Sequence, residues 1–439
     1  METSKLVVPL GVGCMLLMTA GVGVVTYAVK GKPAPTPSPT PAVVASASPS
    51  PSARPSPRPS TYVSTVGGDF QFSEAGHREC GARMKRLGIR FVDYKQQNRG
   101  WPTMQAFGRE LRICPDSRAE YRLADVDPSH AYLFCPGHEY RGQRSVYALK
   151  SRRWTTSLPQ GDGENFLAAG FMLNAAHRPR EALDQYVTSY SLAKLPGSVF
   201  LGMDAAIQCD DSNWVKEFSA RVADYPSYPI VQAMRIYALA YLGRSDDALK
   251  VGLRLDAQKN LAANEIKMLV ACVYLFREEY ILADTWFSRS GEQYRLGWTW
   301  VSFFQQDFAT SLSRGRAALA SLGYGDMTSA EQVHMAVLSS IALGGSSERE
   351  GQEVLTAALK NSPKVWPYPL LRYLNREIDE QQIRSLSSFS VKAKRQTEWL
   401  IGTLKWVKGD RSEGAAILRN LPPHRYALEL GMAKAWLKK

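Results

Sequence analysis

The sequence predicts a mainly α-helical protein with an N-terminal transmembrane helix, a small α+β head and a C-terminal α-solenoid of helical hairpins. Three observations carry that expectation. Small and large apolar residues recur at fixed offsets between about 165 and the C-terminus. Leu6 to Val29 holds 24 residues without a charge. A Pro-alternating run separates that stretch from the rest. The expected divisions are 1–30 anchor, 31–67 linker, 68–160 head and 161–439 solenoid.

The solenoid is written most clearly at Ala238-Leu239-Ala240-Tyr241-Leu242-Gly243-Arg244-Ser245-Asp246-Asp247-Ala248-Leu249. An apolar helix stops at Gly243, a polar turn follows, and a second helix opens at Ala248. Helices that cross closely need small residues at the crossing and large apolar ones between. Taking Ala182 as anchor, Gly170 and Leu173 precede it and Tyr186 follows. Ala283 has Ala271, Tyr274 and Phe287 at the same offsets. Ala248 has Ile236, Leu239 and Gly252, a weaker match. Gly351 with Ser339, Ala342 and Leu355, and then Gly402, Gly409, Gly414 and Leu418, continue the series.

These offsets resemble the tetratricopeptide repeat, in about five or six degenerate units. The Trp usual near the start of each unit is absent, and 196–230 and 291–330 fit loosely. The resemblance implies stacked helix pairs with a concave face that holds a protein or peptide partner.

The apolar stretch is long enough to cross a bilayer, which takes roughly 20 helical residues. Thr26-Tyr27-Ala28 is a poor cleavage site, so an uncleaved anchor is expected rather than a signal peptide. Cys14 reads as a small residue inside that helix. Ten of the chain's 25 prolines lie in 31–60, which makes this segment a semi-rigid extended spacer of at most roughly 90 Å. Lys5 before the span and Lys30 and Lys32 after it weakly favour a cytoplasmic body. The stalk argues the other way, for a body held outside the cytoplasm.

The chain is too long for one core and 45% hydrophobic, enough for several. Its net charge of +13 comes from 54 Lys+Arg against 41 Asp+Glu spread along the sequence. With no RNA-binding or zinc-finger signature, that reads as a solvated basic surface, and no nucleic acid partner is expected.

In the head, Cys80, Met84, Leu87, Phe91 and Tyr94 fall on one face of a helix. Asn98-Arg99-Gly100-Trp101-Pro102 stops it. A shorter segment follows over Met104–Arg112, and two strands over 120–123 and 131–138 complete the reading. His77-x-x-Cys80, Cys114 and Cys135-x-x-His138 supply a possible zinc ligand set. Disulfide and unpaired thiols are the alternatives.

The run Cys80, Met84-Lys85-Arg86-Leu87-Gly88, Tyr94, Asn98, Gly100, Pro102, with Cys114-Pro115, Tyr121 and Cys135-Pro136-Gly137-His138, resembles the soluble head of bacterial type IV pilin-like and pseudopilin-like proteins. The resemblance implies a Cys114–Cys135 disulfide, worth roughly 3 kcal/mol for a loop of that size, and an oxidising compartment. The chain departs from the family by lacking a processing site and by inserting the Pro-rich stalk.

No catalytic motif stands out. His138-Glu139 lacks the second His of a zinc protease, and no phosphate loop or nucleophile elbow occurs. Asp210-Asp211 and Asp246-Asp247 read as helix caps, and Trp298, Trp300, Phe303 and Phe304 as core. Cys209 and Cys272 read as small buried residues. No cofactor and no small-molecule substrate are expected. The sequence therefore suggests a non-catalytic membrane-tethered scaffold in a bacterial envelope. Two other classes stand beside it, an accessory part of a pilus or secretion machine and a cytoplasmic-facing zinc or nucleic-acid binder.

Overall fold

The computed structural model describes residues 74–438, apart from 99–100, 128, 141–142, 156–157, 259–262, 292–294 and 325–328. The expected anchor and linker lie outside the described residues. No helix among those described is long and apolar enough to cross a membrane.

The chain opens on α1 (Glu74–Gln97), whose Cys80, Met84, Leu87 and Phe91 are fully buried. The stripe ends there, since Tyr94 is exposed and Val92 packs instead. A 3-10 turn (Met104–Ala106) and α2 (Arg109–Arg112) lead into four antiparallel strands: β1 (Arg122–Asp125), β2 (Ala131–Tyr140), β3 (Gln143–Ala148) and β4 (Arg153–Thr155), in that spatial order. The second pair was not foreseen, although Val146-Tyr147 is a strand-like dipeptide. Period-two alternation sends the sheet's two faces to different cores. Leu123, Leu133, Cys135 and Tyr147 meet α1. Ala124, Phe134 and Val146 join the repeats. Helix and sheet approach closely at Gly88, where a Cβ would stand 2.3 Å from the Tyr147 ring.

The remaining chain is helical. α3 (Gly163–Ala175) pairs with α4 (Pro179–Ala193), α5 (Pro196–Gln208) with α6 (Ser212–Arg221), and α7 (Pro229–Tyr241) with α8 (Ser245–Ala257). α9 (Ala263–Phe276) pairs with α10 (Tyr280–Arg289), α11 (Arg295–Gln305) with α12 (Phe308–Leu322), and α13 (Ser329–Leu343) with α14 (Ser346–Asn361). Two short helices, α15 (Tyr368–Leu374) and α16 (Glu380–Leu386), precede the hairpin of α17 (Val391–Val407) and α18 (Arg411–Arg419), and α19 (Leu428–Leu437) closes the chain.

The hairpins cross where small residues allow it. A Cβ at Gly170 would stand 2.5 Å from Tyr186, sixteen positions on. Ala271 and Phe287 repeat that spacing, and both are buried. Gly202 and Phe218 repeat it again, with a Cβ at Gly202 2.5 Å from the Phe218 ring. That hairpin lies in the stretch that fitted loosely, because the anchor slot holds Trp214 in place of Ala. In α7–α8 the sizes are exchanged, and Ile236 packs on Gly252. Ala182, Ala248 and Ala283 are fully buried, Tyr274 is partly buried, and Gly243 makes its turn at φ +78°. The stretch 291–330, also a loose fit, holds α11 and α12.

The α+β part of the chain is seated on the helices at two separate places. Phe134 meets Phe171 of α3 edge-on at 5.9 Å, and the Tyr132 hydroxyl donates to Asn165. At the end of α14, Arg118 of the loop before β1 donates to the carbonyl of Lys360 at 2.8 Å, and the Lys364 amide donates to the carbonyl of Ser117 at 2.8 Å.

Candidate functional site

Three elements far apart in sequence bring thiols together. Cys80 comes from the second turn of α1, Cys114 from the chain after α2, and Cys135 from the middle of β2. All three are fully buried, and their sulfurs lie within 4.8 Å of one another. The neighbouring donors are specific. The Tyr121 hydroxyl donates to the Cys80 carbonyl at 3.2 Å and reaches its sulfur at 3.5 Å. The Ser117 amide donates to the Cys114 sulfur at 3.4 Å. The Ser117 hydroxyl lies 3.7 Å from the Cys135 sulfur, and its oxygen accepts from the Ala119 amide at 3.2 Å. Hydrogen bonding to Cys114 and Cys135, followed by burial, holds the Cys80 thiol well above its ordinary range. Burial does the same to the Tyr121 hydroxyl.

The implied Cys114–Cys135 bond is absent, and no disulfide occurs among the described residues. The physical difference is Cys80, which the α1 stripe drives into the same pocket, so that three sulfurs rather than two converge. The side chains of His77 and His138, also proposed as ligands, lie outside the described residues. Cys209 is half-buried and Cys272 buried beside Met268.

The second candidate, the surface of the repeats, is covered in part by the chain's own C-terminal segment, which packs on α5, α9 and α11. His424 donates from Nε2 to the Ile207 carbonyl of α5 at 2.7 Å. Tyr426 stacks on Phe276 of α9 at 3.9 Å. Trp436 reaches α11, donating from Nε1 to the Phe303 carbonyl at 3.2 Å. The aromatic cluster accordingly serves as core: Trp300 and Phe303 are buried against Trp399, and Phe303 also meets Trp436.

Behind that segment lies a polar interior the sequence reading missed. Asp204 of α5 is fully buried and accepts from Gln208 at 2.7 Å and Asn174 at 3.3 Å. Burial raises its carboxyl to about 7. Burial pulls Lys392 of α17 down to about 8, against the opposing pull of Glu331, Glu429 and Asp204. Arg395 and Glu429 lie 3.5 Å apart. The available signal was Glu331-Gln332-x-His334, polar residues set inside the apolar α13. The paired acids are structural: Asp211 caps α6 by accepting from the Trp214 amide at 3.3 Å, and Asp210 accepts from the Tyr241 hydroxyl at 2.7 Å. Asp246 and Asp247 lie in the first turn of α8.

The buried imidazoles give a pH prediction. Burial lowers His334 to about 3 and His424 to about 4. A depressed His contributes stability that is present above the unfolded value near 6.5 and lost as pH falls below it. Asp204 works in the opposite sense, its cost being relieved as pH falls from about 7 toward the ordinary carboxylate range. The His334 effect is isolated by comparison with His334→Leu. Between pH 7 and pH 5 the variant should gain about 2 kcal/mol relative to the wild type. Parallel urea unfolding at the two pH values measures it, and equal pH slopes would remove His334 as an acid-sensitive group.

Fold and site define a stack of helical hairpins carrying a thiol-bearing α+β domain. No protein-family model matches the sequence, and no curated protein matches it. Among solved structures, a tetratricopeptide repeat protein from Parabacteroides merdae is similar at 9% identity, covering 63% of this chain and 98% of that one with a TM-score of 0.32. So low an overlap defines neither a family nor a function for this chain. The pilin-like resemblance of 70–140 has no support beyond the residues that suggested it; the described ones supply α1, α2 and the first two strands of the four-stranded antiparallel sheet.

Proposed function

We propose that the chain is a non-catalytic scaffold that binds a protein partner on its helical-repeat surface, tethered to a membrane through residues 6–29 and held outside the cytoplasm by the Pro-rich spacer. Stacked hairpins usually serve as binding surfaces, and the carrying observation is where this stack stays open. At the end the C-terminal segment does not fill, an apolar cleft of about 110 Å³ lies between β1 and the starts of α5 and α7, lined by Val126, Phe171, Leu195, Phe200, Tyr228 and Ile230. Such a cleft suits an apolar anchor side chain from the partner.

The test is a photoreactive residue placed at Tyr228 in the full chain, with Ile281 on the outside of α10 as the comparison site. A discrete adduct formed at Tyr228 and lost in Leu195→Asp supports the reading. Adducts that form equally at Ile281, or none at Tyr228, refute it.

A further inference from the structure

We propose that Cys80, Cys114 and Cys135 form a three-thiolate site for a thiophilic metal ion, Zn²⁺ or Cu⁺. The number of sulfurs is the first argument. A disulfide consumes two, whereas three converging thiolates are a ligand set for soft metals. Distance is the second. Metal–sulfur bonds of about 2.3 Å place sulfurs about 3.8 to 4.0 Å apart. The sulfurs already lie within 4.8 Å of one another, so closing on an ion needs only a small shift of side chains.

The surrounding donors are the third argument. Thiolates are acceptors, and metal sites surround them with oriented hydrogen bonds. Each sulfur has a polar group of the protein beside it: the Tyr121 hydroxyl for Cys80, the Ser117 amide for Cys114 and the Ser117 hydroxyl for Cys135. The Ser117 oxygen accepts from Ala119, and its own proton can turn to Cys135 once that sulfur is a thiolate. A cation also stands close by. Arg83, one turn beyond Cys80, donates to the Ile113 carbonyl at 3.0 Å, next to Cys114, and its buried Nε makes no hydrogen bond. Its guanidinium also pairs with Glu79 at 3.4 Å.

The binding step balances without any oxidant. Three S–H bonds break, three metal–sulfur bonds form, the oxidation state of the ion is unchanged, and three protons pass to solvent. Because binding releases these protons, affinity rises with pH.

The experiment uses the full chain, reduced and freed of metal, titrated separately with Zn²⁺ and Cu⁺ and followed by native mass spectrometry. One ion per chain is expected, with about three protons released in weak buffer. Affinity should fall at least about 100-fold in Cys135→Ala and stay unchanged in Cys209→Ser. Zinc saturation alone assigns the site to zinc, and Cu⁺ saturation with a thiolate charge-transfer band assigns it to copper. Alkylation of the wild type needs no variant: the ion should protect Cys80, Cys114 and Cys135 together, read by peptide mass. The proposal is overturned if neither ion binds stoichiometrically, if protection falls on other cysteines, or if protein isolated with thiols blocked carries a disulfide between any two of the three.

Discussion

Trp436→Ala should lower stability by about 4 kcal/mol, within the range for removing a buried Trp. Trp436 is fully buried. Its ring lies 5.3 Å from Phe303, 5.9 Å from Phe308 and 5.8 Å from Trp406, so it touches α11, α12 and α17 at once. Truncation opens a cavity among large rings that cannot collapse together, since each is also fixed elsewhere; Phe303, for one, packs on Trp399. It also removes the donor to the Phe303 carbonyl. Thermal and urea unfolding measure the loss. A Trp436→Ala, Phe303→Leu cycle should show coupling of about 1 kcal/mol for the contacting pair. Hydrogen exchange adds a local reading: amides of α19 should lose protection before those of α3 and α4. A cost below about 1 kcal/mol would mean that the C-terminal segment is not seated in the groove.

The C-terminal segment also explains where sequence reading stopped. Local rules sufficed for the hairpins. Gly170 and Tyr186, or Ala271 and Phe287, declare a crossing because both partners lie within one unit and the spacing is regular. The α1 stripe was legible for the same reason, apart from Tyr94 at its end. What escaped were pairings across long separations. Nothing in Leu428 to Leu437 says that this apolar helix lies along α11 rather than adding one more hairpin outside. The buried group around Asp204 and Lys392 draws on α5, α13, α17 and α19, and each residue alone reads as surface charge. The thiol site sits between these cases. Cys80, Cys114 and Cys135 were recognisable as candidates. Their meeting in one pocket depends on β2 crossing α1, which no spacing along the chain encodes, and a pairwise resemblance directed attention to two sulfurs where three converge.

Gly414→Ala should cost about 2 to 3 kcal/mol, the scale of overpacking in a closed site, although the same change in an open helix would gain about 1 kcal/mol from propensity. The sign is decided by what the new methyl meets. A Cβ at Gly414 would stand 2.7 Å from the Gly402 carbonyl oxygen and 2.8 Å from the Trp406 amide nitrogen. Both are backbone atoms of α17, held by its helical hydrogen bonds, so relief requires α17 and α18 to separate. Gly402 provides the contrast. Its Cβ would meet Ile417 Cγ2 and Leu418 Cγ at 3.0 Å, a milder contact with side chains that need give by only a few tenths of an ångström. Gly402→Ala should therefore come out near neutral, clash and propensity roughly cancelling. Ala416→Val, exposed on α18, should change stability by less than about 0.5 kcal/mol. Urea unfolding of the three variants separates the effects. If Gly414→Ala were as mild as Gly402→Ala, the backbone approach of the last hairpin would be looser than this packing requires. The expected order places the constraint on the crossing itself, since all three substitutions add carbon to the same helix pair.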